Sequence, residues 1–186
     1  MNESDIKKGC LKNNRESQKA LYNLYYTKML SICLRYSKDS VEAKEILLEG
    51  FFKVFATIKN HKDTEPLEEW IKKTIIETAV EHLKKNNHNL IVSTFNATKA
   101  TKSTTDEISD DEIISSINKE NVLKALQELT PAYRKVFNLS VIEGYSHKKI
   151  SDMLDTSEDT SESNLAKAKF NLRKNLQQSI KKSDDK

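Results

Sequence analysis

The sequence predicts an all-α protein made of two small helical domains joined by a flexible linker. Its 186 residues include only three glycines and two prolines, so the chain has little of the chemistry of tight turns. Apolar residues recur every three to four positions in two separate stretches, which is the period of amphipathic helices. Between these stretches, residues 86–118 are rich in Asn, Ser, Thr and Asp, a composition that is typical of a linker.

The first predicted domain, residues 1–85, contains three to four helices, of which three are amphipathic helices that the pattern locates. The first helix spans residues 14–36, and the second spans about 41–59 after a capping residue at Asp39 or Ser40. Pro66 suits the first turn of the third helix, which ends near residue 85. Three packed helices of this length are enough for a small core.

The second helix is apolar over more of its circumference than one core needs. Leu48, Phe52 and Phe55 lie off its main apolar face. Two interpretations remain open at this point. Either a further helix covers these side chains, or they form a surface on which another protein docks.

The second predicted domain, residues 119–186, contains four helices. A helix over 120–129 is followed by a restart at Thr130-Pro131 and a break at Gly144. Residues 145–169 then read as two short helices joined by a tight turn, the first capped by Ser146 and the second by Ser157. This spacing fits a DNA-binding helix-turn-helix, although an ordinary helical hairpin has the same pattern.

Composition and charge argue against several classes of protein. The net charge is only +3, with an acidic middle between two mildly basic ends, whereas a protein held to DNA mainly by phosphate contacts is usually more basic. No apolar stretch is long enough to span a membrane. Cys10 and Cys33 lack metal-type spacing, and we expect Cys33 to be a buried thiol in a reducing cytoplasm. The four histidines are scattered, so we expect no enzyme, no cofactor and no metal site.

Two stretches of the chain resemble a known family. The first is LYNLYYTKMLSICLRYSKDSVEAKEILLEGFFKVFATIKNHKD followed by EEWIKK, and the second is LKALQELTPAYRKVFNLSVIEGYSHKKISDML. They resemble the promoter-melting domain and the minus-thirty-five-reading domain of extracytoplasmic-function sigma factors, a group of the sigma-70 family of RNA polymerase sigma factors. The segment VFNLSVIEGYSHKKI is particularly similar to the corresponding segment of family members from Bacteroidetes-type bacteria.

The resemblance implies a protein that binds core RNA polymerase and opens promoter DNA without performing covalent chemistry. In the family, the helix that corresponds to 42–55 docks on a coiled coil of the largest catalytic subunit, and the second domain docks on the flap of the other large subunit. The polymerase-binding residues expected from this match are Glu45, Leu48, Glu49, Phe52 and Lys53.

The resemblance also assigns two DNA-reading surfaces. The loop at residues 60–65 matches the pocket that receives a flipped base of the minus-ten element. The expected minus-ten residues are Asn60, His61, Lys62, Asp63, Thr64, Lys72, Lys73, Glu77, Lys84 and Lys85. The expected minus-thirty-five residues are His147, Lys148, Thr160, Ser161, Glu162, Ser163, Asn164 and Lys167.

The sequence departs from the family where it would read DNA. The loop before Trp70 lacks the usual glycine and Ser-Phe pair. The second helix of the helix-turn-helix begins with the acidic residues Glu158, Asp159 and Glu162. Within this helix no basic residue precedes Lys167. Acids at this end would meet phosphates and base edges, so few groups remain to supply electrostatic affinity.

Three hypotheses follow from these departures. The first is a sigma factor that engages polymerase normally but reads promoters weakly or unusually, and that a separate DNA-targeting recruiter protein places on DNA. The second is a conventional stress sigma factor held by an anti-sigma factor. The third is a decoy that binds polymerase or an anti-sigma protein without supporting transcription.

Overall fold

The protein is helical in both of its compact units. A computed structural model describes residues 2–90 and 119–184, and within them every regular element is a helix, as predicted. The two units are Met1–His82 and Leu83–Lys186. The predicted linker from residue 91 to residue 118 lies outside the described residues. None of the described helices is both long enough and apolar enough to cross a membrane.

The first unit is built from four helices and one short 3-10 turn. They are α1 (Glu3–Leu11), α2 (Arg15–Tyr36), α3 (Ser40–Thr57), the 3-10 turn Ile58–Asn60, and α4 (Leu67–Leu90), whose residues after His82 fall in the second unit. Asp39 is the cap of α3, because its carboxylate accepts the amide protons of Val41 and Glu42. Four helices agree with the predicted three to four, although the sequence analysis assigns no helix to the residues of α1. Helix α4 continues through 86–90, which the sequence analysis assigns to the linker.

The core of the first unit lies among α2, α3 and α4. Its fully buried side chains are Leu21, Met29, Tyr36, Ile46, Leu47, Phe51, Val54, Ile71, Ile75 and Ile76. Helices α3 and α4 approach closely at Gly50, where an added Cβ would lie 2.4 Å from the Ile75 side chain. Cys33 is also buried, as predicted, and burial raises the pKa of its thiol to about 12.

The second unit contains four α-helices and one π-helical turn. They are α5 (Lys119–Gln127), α6 (Pro131–Phe137), the π-turn Asn138–Ile142, α7 (His147–Leu154) and α8 (Glu158–Asp184). Thr130 caps α6, with a proline in the first helical turn as the sequence predicts. The four-helix count is confirmed, and the π-turn is an unpredicted detail.

Polar side chains tie the second unit together around a small apolar core. The buried guanidinium of Arg134 donates to the carbonyl oxygens of Gln127 and Leu129 at 2.7 and 2.8 Å, and so closes the end of α5 onto α6. The apolar core includes Ala125, Leu126, Leu129, Val136, Leu139, Ile150, Ala168 and Leu176. The long helix α8 packs on α5, α6 and α7 and is the scaffold of this unit.

Candidate functional site

The first candidate surface is an exposed stripe on α3, formed by Val41, Glu45, Leu48 and Phe52. These residues are four, three and four positions apart, so they share one helix face. The apolar members are unusually exposed, at 66% for Val41, 61% for Leu48 and 76% for Phe52. Glu45 is exposed between them. We call this face the α3 stripe.

The α3 stripe decides between the two interpretations of the excess apolar residues. None of the described helices covers Leu48 or Phe52, so the alternative of a covering helix is wrong for them. Phe55 differs, because it is half-buried and its ring centroid lies 6.0 Å from that of Phe51. Val41 is the member that the sequence reasoning missed, although its spacing from Glu45 marks the same face.

Two of the expected polymerase-binding residues are engaged by α4 rather than free. His82 Nδ1 donates to Glu49 Oε2 at 3.3 Å. Lys53 Nζ donates to Glu81 Oε2 at 2.6 Å. Both side chains are about one-third exposed. These pairs fix α3 to α4 along one side of the stripe, so Glu49 and Lys53 lie at its edge.

The second candidate surface is the loop between α3 and α4, which is closed by its own side chains. His61 Nε2 donates to the Glu65 carbonyl oxygen at 2.9 Å, and the His61 ring meets Trp70 edge-on with centroids 5.4 Å apart. Lys73 pairs with the Glu65 carboxylate. His61 was expected to contact DNA directly. In the structure its Nε2 holds the two ends of the loop together.

The tip of this loop presents the exposed side chains of Asn60, Lys62, Asp63 and Thr64. Asp63 accepts a hydrogen bond from Lys7 on α1 at 2.5 Å. This contact, with the attraction between the two charges, holds the pKa of the Asp63 carboxyl below its ordinary value. The tip is therefore the most exposed part of the loop.

The expected minus-ten residues on α4 follow the loop along the helix. Lys73, Glu77 and Lys85 are exposed, whereas Lys72 and Lys84 are half-buried. Lys73 belongs to the loop through its pair with Glu65. The acid Glu77 lies among the lysines, so this face has a mixed charge.

The third candidate surface is the helix-turn-helix formed by α7 and α8. Ser146 and Ser157 are its caps, as predicted, because their hydroxyls accept the amide protons of Lys149 and Thr160. Asp155 ends α7 in the left-handed region with φ of 52°, and its amide donates to the Ser151 carbonyl. Aspartate tolerates this conformation better than most residues, so the turn forms without glycine.

The reading face of α8 is acidic and polar at its start. Glu158, Asp159, Thr160, Glu162 and Ser163 are exposed. Of the remaining expected residues, Lys148 and Lys167 are exposed, and His147 and Asn164 are half-buried.

Ser161 corrects one of the expected DNA contacts. It is fully buried, and its hydroxyl shares a hydrogen bond of 2.8 Å with His147 Nδ1. A side chain enclosed in this way cannot reach a base edge, so Ser161 joins α7 to α8 instead. The same contact occupies one nitrogen of His147.

The structure also shows an exposed aromatic residue that the sequence reasoning missed. Phe170 on α8 is 68% exposed. The exposed Lys167, Lys169 and Lys174 are its neighbours on the helix. In the sequence, Phe170 could have been recognised as exposed because it lies among lysines at helical spacing and off the positions that the apolar core occupies.

Two family profiles match the chain. Sigma-70 region 2 matches residues 21–89, and sigma-70 region 4 matches residues 119–172. The first match contains most of α2, all of α3 and the loop, and the second contains α7, the turn and the first half of α8. No curated protein matches the chain in sequence.

The chain is similar to solved structures at low sequence identity. One is the sigma factor RpoE in its co-crystal structure with the anti-sigma factor NepR from Bartonella quintana. The TM-score is 0.51 at 16% identity, over 86% of this chain and 96% of that chain. Another is CnrH in complex with the cytosolic domain of CnrY, with a TM-score of 0.45 at 12% identity, over 92% of this chain and 95% of that chain.

The family follows from the two profile matches, which together cover well over half of the chain in the order region 2, then region 4. That order is the arrangement of the extracytoplasmic-function group. The chain belongs to the sigma-70 family of RNA polymerase sigma factors.

Proposed function

We propose that this sigma factor docks on core RNA polymerase through the α3 stripe and opens promoters that it reads weakly or unusually on its own. A separate DNA-targeting protein would then place the polymerase on DNA. The observation that carries the docking proposal is the exposure of Leu48 and Phe52 one turn apart on the helix that docks in the family. Polymerase would supply all the covalent chemistry, in the cytoplasm of a Bacteroidetes-type bacterium.

The α3 stripe has the composition of a docking surface. Large apolar side chains that remain exposed in the free protein gain most from being covered by a partner. Glu45 adds one exposed carboxylate to the same face. The pairs Glu49–His82 and Lys53–Glu81 stiffen the edge, so less conformational freedom is lost on binding.

The weak grip on duplex DNA is argued from the charge at the start of α8. The N-terminal residues of a recognition helix meet base edges and the flanking phosphates. Here they include the exposed acids Glu158, Asp159 and Glu162. Like charges about 4 Å apart repel by about 1 kcal/mol even at the dielectric constant of water. The acids therefore oppose the counterion-driven part of affinity, which a partner's own DNA contacts would replace.

Two other functions remain as alternatives. A conventional stress sigma factor controlled by an anti-sigma factor is favoured by the likeness in fold to RpoE, which was crystallised with the anti-sigma factor NepR. A decoy that binds polymerase without opening promoters would share the α3 stripe. It would differ by failing to melt DNA.

Selection of bound duplexes from random DNA tests the proposal. The probe is core polymerase from the same organism carrying the full chain. We expect at most a short, weak consensus, and we expect Glu162→Lys to strengthen binding and steepen its dependence on salt. Glu128→Lys, a charge reversal at the exposed residue that follows α5, is the matched control.

A sharp two-element consensus bound by the wild type would favour the conventional sigma factor and refute the weak-reading proposal. Tight binding to polymerase with no promoter opening, even in the presence of cell extract, would favour the decoy.

A further inference from the structure

Helix α1 lies outside the part of the chain that matches region 2, yet it is firmly attached to the first unit. Its apolar anchors Ile6 and Cys10 are buried against the unit. Tyr25 on α2 donates a hydrogen bond from its hydroxyl to the Glu3 carboxylate. The helices are so close at Gly9 that an added Cβ would lie 1.9 Å from the Ser17 hydroxyl.

This attached helix contacts the loop between α3 and α4 through Lys7. Lys7 Nζ donates to Asp63 Oδ1 at 2.5 Å. The two partners differ sharply in exposure, because the Lys7 side chain is 15% exposed and that of Asp63 is 93% exposed. The lysine is the fixed partner, so it determines where the carboxylate points.

The other side-chain contacts of the loop hold its ends, and one backbone hydrogen bond, from the Glu65 amide to the Lys62 carbonyl oxygen at 3.2 Å, closes its turn. His61 is bonded to the Glu65 carbonyl oxygen, and Glu65 is paired with Lys73. Asp63 lies between these anchors at the exposed tip. Its contact with Lys7 therefore adds a third fixed point, at the position that is most open to a ligand.

We propose that Lys7 is a positioning residue for minus-ten reading: it orients the Asp63 carboxylate so that its second oxygen accepts a hydrogen bond from the exocyclic amino group of an extruded base. The proposal rests on the proposed promoter-opening function and on the minus-ten role expected for the loop. A flipped base presents its Watson–Crick edge to the protein. A carboxylate accepts well from the amino group of cytosine, and adenine and guanine also carry an exocyclic amino group, whereas thymine does not. Lys7 also offsets the negative charge that Asp63 would otherwise bring toward the phosphates.

The test is a selection from a randomised single-stranded DNA library on the complex of core polymerase with the full chain. At one position the wild type is expected to prefer bases with an exocyclic amino group, which are cytosine, adenine and guanine, over thymine. Lys7→Met and Asp63→Asn should each reduce that preference by about tenfold at the same position. Lys7→Arg, which keeps the charge and the hydrogen bond, should retain it. Lys8→Met, at the exposed neighbouring lysine of α1, is the matched control and should change nothing.

Three outcomes would overturn the proposal. The preference could survive Lys7→Met, it could change equally with Lys8→Met, or the two active variants could act at different positions. If Lys7→Met loosens α1, as a lowered melting temperature would reveal, Asp63→Asn and Lys7→Arg still test the claim. A wild-type complex that binds polymerase but enriches no base at any position would refute DNA reading by the loop itself. A preference that ignores Lys7 refutes only the present inference.

Discussion

Replacing Leu48 and Phe52 together by alanine tests the α3 stripe most severely. Fully burying a leucine or phenylalanine side chain contributes about 1.5–3 kcal/mol. Phe52 is 76% exposed and Leu48 61% exposed, so most of that contribution is still available to a partner. Covering both would contribute about 3 kcal/mol, and their loss should weaken polymerase binding on the order of 100-fold. The free protein should hardly change in stability, because exposed positions usually contribute within about 0.5 kcal/mol.

The assay is a titration of the fluorescently labelled chain with core polymerase, followed by anisotropy, with melting temperatures measured in parallel. Leu24→Ala is the matched control, because Leu24 on α2 is a large apolar residue that is 51% exposed outside the stripe. Wild-type affinity in the double variant would refute the docking argument. So would an equal loss of affinity in the Leu24 control.

Three further predictions concern the first unit. Gly9→Ala should lower its melting temperature by several degrees, because the new methyl group would overlap Ser17, and such overpacking costs about 1–3 kcal/mol; an unchanged melting curve would contradict the close packing of α1. The Cys33 thiol should resist thiol reagents at pH 8 until the protein unfolds, since its pKa of about 12 leaves almost no thiolate. Rapid labelling of Cys33 in the native protein would argue against the burial of this side chain. In an NMR titration, the Asp63 carboxyl should titrate below its ordinary pKa of 3.8, and in Lys7→Met its pKa should return toward that value. The stabilisation from this pair is therefore present near neutral pH and is lost as the pH falls through the lowered pKa. Identical titration curves for the wild type and Lys7→Met would contradict the contact.

Features that depend on neighbouring residues were predictable from the sequence. The caps Ser146 and Ser157 and the helix restart at Thr130-Pro131 were placed correctly, because a cap is decided by a hydroxyl and an amide about three residues away. The exposed Leu48 and Phe52 were also marked by helical spacing alone, since they lie off the face that the core requires.

Features that depend on distant residues were not predictable in this way. Helix α1 offers only the short apolar pattern of Ile6 and Cys10, and its attachment depends on contacts with α2. Ser161 was expected on the reading face, because nothing local reveals that His147, fourteen residues earlier, holds it inside. The pairing of Glu49 with His82 across two helices is hidden for the same reason.

The extent of α4 was also missed. The residues 86–90 are polar and Asn-rich, which favours a loop by composition, yet they continue the helix that starts at Leu67. A helix that is already formed adds each further residue at little cost, so unfavourable composition near its end is tolerated.

Reconstituted transcription tests the central claim most directly. Core polymerase from the same organism is combined with this chain on genomic DNA, and start sites are mapped with and without cell extract. We predict that initiation depends on the chain and that defined start sites become strong only when extract supplies the targeting partner. Strong, sharply placed initiation by the two purified components alone would contradict the requirement for a partner. No chain-dependent initiation under either condition would contradict the role in transcription itself.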